Sequence, residues 1–112
     1  MTRLRSDIWV SAYLRRCASE GVAAVLRRRG SPEAGAVFIK IDRLDGTSTL
    51  FAPAPQSEAR EGFDRIFSRV HAEEFVENEK VEAKLAREIS FDSDLWIVEV
   101  EDRQGRNFLD LA

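Results

Sequence analysis

Apolar residues recur along this chain in two periods, and the changes of period mark the elements. In "SDIWVSAYLRRCASEG", Val10, Tyr13, Leu14 and Cys17 fall at i, i+3, i+4 and i+7, one stripe of a helix. Ser6 is placed to cap it by accepting from the free amides of the first turn. Asp7 suits the positive helix end, and Gly21 is a natural stop. The period then shortens. "VAAVLRRRG" is too short for another helix and reads as a strand ending in arginines, and "GSPEAG" is a turn. "AVFIKIDR" alternates, with Val37, Ile39 and Ile41 on one side and Phe38, Lys40 and Asp42 on the other. Asp45-Gly46 predicts a hairpin, with "TSTLFAPAP" as its return strand. Pro53 and Pro55, which cannot donate to a ladder, end it.

The second half is patterned less evenly. "QSEAREG" reads as a polar loop. "FDRIFSRVH" fits two templates: Phe63, Ile66, Phe67 and Val70 have helical spacing, whereas a strand would set Ile66, Ser68 and Val70 against Phe63, Arg65 and Phe67. Spacing alone slightly favours the helix. "NEKVEAKLAREI" predicts a helix capped by Asn78, with a narrow stripe of Val81, Leu85 and Ile89. "DLWIVEVED" is apolar on both faces in its first half, which predicts a central strand covered on both sides. "RQGR" is a turn and "NFLDL" a short closing strand, the two completing a hairpin. Together these elements predict a single α+β domain over residues 1–112: an antiparallel sheet of about five strands with two helices packed against it.

Composition bounds this picture. The chain has 112 residues, 44% of them hydrophobic, enough for one core without staples. Charged residues make up 33%, and no apolar stretch approaches the roughly 20 residues a membrane span needs. "MTRLRSDIWVSAYLRRC" lacks the long apolar run and small-residue cleavage pattern of a signal peptide. Cys17 is the only cysteine and cannot form an internal disulfide. Both features predict a cytoplasmic protein with no membrane association. The net charge of -3 hides an asymmetry: residues 1–30 carry seven arginines against Asp7 and Glu20, a balance of +5, and residues 31–112 carry -8.

"LRRCASEGVAAVLRRRGSPEAGAVFIKIDRLDG" and "FDSDLWIVEVEDRQGRNFL" resemble the two blocks of a small uncharacterised alphaproteobacterial family, domain of unknown function 1491. The resemblance covers nearly the whole chain. Ser93 stands where the family often has proline in "DPDLW". The resemblance implies a bacterial setting and this fold outline, favours a strand for "FDRIFSRV", and implies no activity.

Several residues could carry chemistry. Glu99 and Glu101 share one face of their strand, and Asp102 follows at the turn. With Asp42 and Asp45 from another strand end they could hold a hard cation through oxygen. The favoured reading is a solvated strand end paired with arginines such as Arg103, Arg106 or the Arg27–Arg29 group. Arg27, Arg28, Arg29 and Arg103 could bind an anion or a partner, but strand alternation would put Arg27 and Arg29 on one face and Arg28 on the other. Trp9 is a candidate interface residue and Trp96 a core residue. His71 is expected in solvent at a strand end, and Cys17 in the core. One histidine and one cysteine cannot make the usual zinc site, no phosphate-loop motif is present, and no metal or cofactor is expected. Three readings follow: a non-catalytic protein-interaction or self-associating module, homodimer included; nucleic-acid or anion binding through the basic N-terminal third, the lesser reading; and a metal-dependent enzyme using the clustered carboxylates. Whether the protein is an enzyme stays open at this point.

Overall fold

In the computed structural model, which describes residues 4–55 and 65–112, two helices flank a six-stranded sheet. The order along the chain is α1 (Ser6–Ser19), β1 (Ala23–Arg28), β2 (Val37–Asp42), β3 (Thr47–Pro53), β4 (Phe67–Arg69), β5 (Val76–Glu77), α2 (Asn78–Phe91) and β6 (Trp96–Glu101). Across the sheet the order is β1-β6-β2-β3-β4, with β5 also pairing β3. The antiparallel expectation holds for every pair but one. β2 and β6 run parallel, from Val37↔Trp96 to Asp42↔Glu101, so the sheet is mixed. Parallel neighbours need a long crossover, which here includes α2.

The core has two layers. On one face Val10, Tyr13 and Cys17 of α1 meet Val37, Ile39, Ile41, Trp96, Val98 and Val100. On the other, Val81 and Leu85 of α2 meet Phe38, Leu50, Leu95 and Ile97, with Ile89 alongside. The alternation read from β2 is therefore the alternation between the layers. β6 is central and covered on both sides, and Trp96 is 1% exposed.

Three local expectations need correction, and one open reading is settled. Ser6 is the first helical residue, not the cap: its hydroxyl is buried and donates to the Gly35 carbonyl at 2.6 Å. Asn78 likewise sits inside α2, where its Oδ1 accepts from the Ser48 hydroxyl at 3.0 Å. In both cases a tertiary partner took the polar group that a cap would have used. "FDRIFSRVH" contributes a strand, β4, because the outer edge of β3 needs a partner and takes Phe51↔Arg69, Ala52↔Ser68 and Pro53↔Phe67. "NFLDL" does not fold back on β6, whose two edges are taken by β1 and β2. It crosses to β4, where Leu111 makes a single parallel bridge to Phe67. The "QSEAREG" loop and Phe63 lie outside the described residues.

Candidate partner-binding edge

The register answers what faces the acidic half of β6. Glu99 lies between Val25 of β1 and Lys40 of β2, and Glu101 lies between Ala23 and Asp42. Lys40 is 2% exposed, and a buried ammonium requires a carboxylate beside it. Its Nζ contacts Glu82 of α2 at 2.6 Å and Glu99 at 3.9 Å. Arg27 closes the group from β1, reaching Glu82 at 2.8 Å and Glu99 at 3.0 Å. Two cations and two carboxylates thus neutralise one another between the sheet and α2.

The hydrogen bond from Arg27, aided by Lys40, holds the Glu82 carboxyl down from 4.5 to about 2. The unfolded chain therefore takes up a proton that the folded chain refuses. This stability is fully present above pH 4.5 and disappears as the pH falls toward 2. With the Glu82 side chain 38% exposed, solvent screening reduces the contribution to about 1–2 kcal/mol. Urea titrations at stepped pH are expected to show this loss in the wild type and a flatter acid limb in Glu82→Gln.

The remaining candidate carboxylates are dispersed. Asp102 is buried and held by Arg106, with Nε to Oδ2 at 3.0 Å and Nη2 to Oδ1 at 3.1 Å, which lowers its pKa. Asp42 accepts from the Leu44 amide at 2.8 Å. Asp45 accepts from Thr47 and pairs with Arg43. Glu101 is exposed. Among the described residues no group of three or more His, Cys, Asp or Glu side chains is arranged to hold a metal ion.

The arginines do not follow simple alternation. Leu26 faces Val98 but Arg28 faces Ile97, so Arg27 is the extra residue of a β-bulge. The bulge brings Arg27 and Arg28 to the α2 face together, and Arg28 donates from Nη2 to the Ser93 carbonyl at 2.8 Å. Arg29 turns to the other face, 5.3 Å above the Trp96 ring. Arg103 is exposed in the turn beyond the opposite end of β6, so it belongs to a different patch. Trp9 is half-buried, stacked on Tyr13 at 5.2 Å and tilted against Phe67 at 5.3 Å. Cys17 is fully buried, which raises its thiol pKa. His71 is not simply in solvent: its Nδ1 is buried with no partner among the described residues, and burial, then Lys80, lowers its pKa.

The two sides of the sheet end differently. At β4, the segment after β6 closes the edge: the Phe67 amide donates to the Asp110 carbonyl at 2.9 Å and the Ala112 amide to the Phe67 carbonyl at 2.8 Å. At β1, among the described residues, no backbone hydrogen bond from outside the β1–β6 ladder reaches Ala23–Arg28. Val25 is 59% exposed there. Beside this strand a groove of about 420 Å³ runs between α1 and β1. Its apolar lining comes from Ile8, Val10, Leu14, Leu26 and Trp96, and Arg15, Arg29 and Asp7, the last paired with Arg5, stand along it. Arg15, Arg28 and Arg29 have no carboxylate partner among the described residues. Sequence reasoning missed Lys40, Glu82 and the groove. The signal for the first was a lysine in an otherwise buried strand, "VFIKI", which obliges some distant acid to meet it.

Fold and site together define a small α+β fold with a mixed sheet, an internally neutralised charge cluster and, among the described residues, an open edge at β1. The chain belongs to the family described as protein of unknown function, DUF1491, whose model matches residues 4–110. It is similar to a DUF1491 family protein from Caulobacter crescentus known from a crystal structure, with 34% identity, TM-score 0.81, and 99% of each chain covered. A solution structure of an A. tumefaciens protein is 39% identical, with TM-score 0.81, covering 99% of this chain and 96% of that one. No curated protein matches the chain. Among the described residues no helix is long and apolar enough to cross a membrane.

Proposed function

We propose that this domain is a protein-interaction module that takes an extended, acidic segment of a partner protein as an added strand on β1. The observation that carries this reading is the contrast between the sheet's two edges: β4 is closed by the chain's own segment 110–112, whereas β1, among the described residues, takes no backbone hydrogen bond beyond its ladder with β6. An edge with unpaired amides and carbonyls is a template for strand addition, and alternate side chains of the added strand supply specificity. Here one set of those side chains would enter the apolar groove. Charge selects the occupant. The edge belongs to the basic third of the chain, with a balance of +5 over residues 1–30. Joining two copies through β1 would set that charge against itself, whereas an acidic strand would neutralise Arg15, Arg28 and Arg29.

A synthetic peptide alternating valine and glutamate is the direct probe. It is expected to protect the amides of Ala23–Arg28 from hydrogen exchange and to bind less tightly as salt rises. The double charge reversal Arg15→Glu, Arg29→Glu is expected to weaken it by about tenfold. Equal binding of a valine–lysine peptide, or protection that avoids β1, would refute this reading. A nucleic-acid surface would instead bind single-stranded oligonucleotides more tightly than the acidic peptide.

A further inference from the structure

A second site lies on the same molecule, away from the β1 edge. Beyond α1, over the Thr49 end of β3, the sheet is roofed by residues 105–112 and by the turn that follows β4. The roof leaves a cavity of about 630 Å³. We infer that this cavity binds a small organic carboxylate, with the anionic group at Arg69 and the apolar body between Phe51 and Phe75.

Four observations support the assignment. Thr49 lies in the cavity wall at 4% exposure, on the face of β3 it shares with core residue Phe51, yet its hydroxyl makes no hydrogen bond among the described residues. That hydroxyl is free to donate to a ligand carboxylate. Asn107 also faces the cavity; its Oδ1 accepts from the Leu109 amide, which leaves its amide N–H groups available. Arg69 stands at the cavity, and its carboxylate partner among the described residues, Glu74, also lines the cavity but lies 4.0 Å away and 72% exposed, a contact loose enough for a ligand carboxylate to replace. A guanidinium matches a carboxylate in two parallel hydrogen bonds. Finally, the aromatic wall is held in place before any ligand arrives. Arg43 sits 3.9 Å over the Phe75 ring, and Gly105 backs it so closely that a Cβ there would stand 2.6 Å from the ring. A wall fixed in advance lowers the ordering cost of binding. His71, whose Nδ1 is buried with no partner among the described residues, lines the same cavity.

Sodium benzoate is a suitable probe, with benzamide as its uncharged isostere, read by amide chemical shifts of the full chain. Benzoate is expected to shift Thr49, Ser68 and Asn107 saturably and to bind about tenfold tighter than benzamide. Arg69→Gln, at a half-exposed position that leaves the core intact, is expected to erase that preference. Thr49→Val is expected to weaken both probes. Equal binding of the two probes, an unchanged preference in Arg69→Gln, or benzoate shifts confined to the basic N-terminal surface would overturn the assignment. This outcome is independent of whether β1 accepts a strand.

Discussion

Trp96→Ala is expected to lower the stability of this domain by about 4 kcal/mol, a large share of the roughly 5–15 kcal/mol typical of a whole fold. The indole is 1% exposed at the start of the central strand, packed into the α1 layer. Its Nε1 donates to the Ser31 carbonyl at 2.8 Å, tying β6 to the turn that precedes β2. Removing it opens a cavity where no neighbour is free to collapse, because the strands on both sides are fixed by their ladders. Urea unfolding followed by circular dichroism measures the loss as a lower midpoint with an unchanged slope. Trp96→Phe is expected to cost less, about 1–2 kcal/mol, since it keeps most of the volume and the Ser31 carbonyl still accepts from the Gly35 amide at 3.2 Å.

Gly30→Ala is expected to be almost as damaging, at about 3 kcal/mol, for the opposite reason. A Cβ at position 30 would collide with the Asp94 carbonyl oxygen, and would stand 2.6 Å from the Leu95 carbonyl carbon and 2.7 Å from Trp96 Cδ1. Two of these are backbone atoms entering the central strand and cannot step aside. The Ser31 amide also bonds the Asp94 carbonyl at 2.8 Å, so any displacement breaks that bond. Gly21→Ala is the control. Gly21 has φ +74 but open space around it, so its substitution costs about 1 kcal/mol of backbone strain. A thermal melt of the two variants is expected to separate them clearly, at roughly 4–8 °C per kcal/mol for a domain of this size.

The elements readable from sequence were those whose pattern is local. The stripe of α1, the alternation of β2, the Asp45-Gly46 hairpin and the two-sided burial of β6 each follow from spacing within a dozen residues. What was not readable depended on distant chain. Nothing near Val37 or Trp96 states that β2 and β6 lie side by side and parallel. Ser6 and Asn78 had good capping chemistry, but Gly35 and Ser48 claimed it. The bulge at Arg27 regrouped the three arginines, setting Arg27 with Arg28 rather than with Arg29. Of the candidate site residues, spacing put Glu99 on a strand face, but its neighbours Lys40, Arg27 and Glu82 come from three other elements. The resemblance to a known family corrected the reading of "FDRIFSRV", where spacing alone pointed to a helix.

The position of β6 has a further consequence, for how the chain is born. Of the six strands this one is the last to be synthesised, yet it lies between β1 and β2, two of the first to appear. Until its residues are available, β1 has no ladder partner, and β2 has only the β3 hairpin. The sheet's central contacts close over some of the longest sequence separations in the chain, the arrangement that makes folding slow and leaves strand edges exposed meanwhile. The domain must therefore wait for its own end before its middle can form.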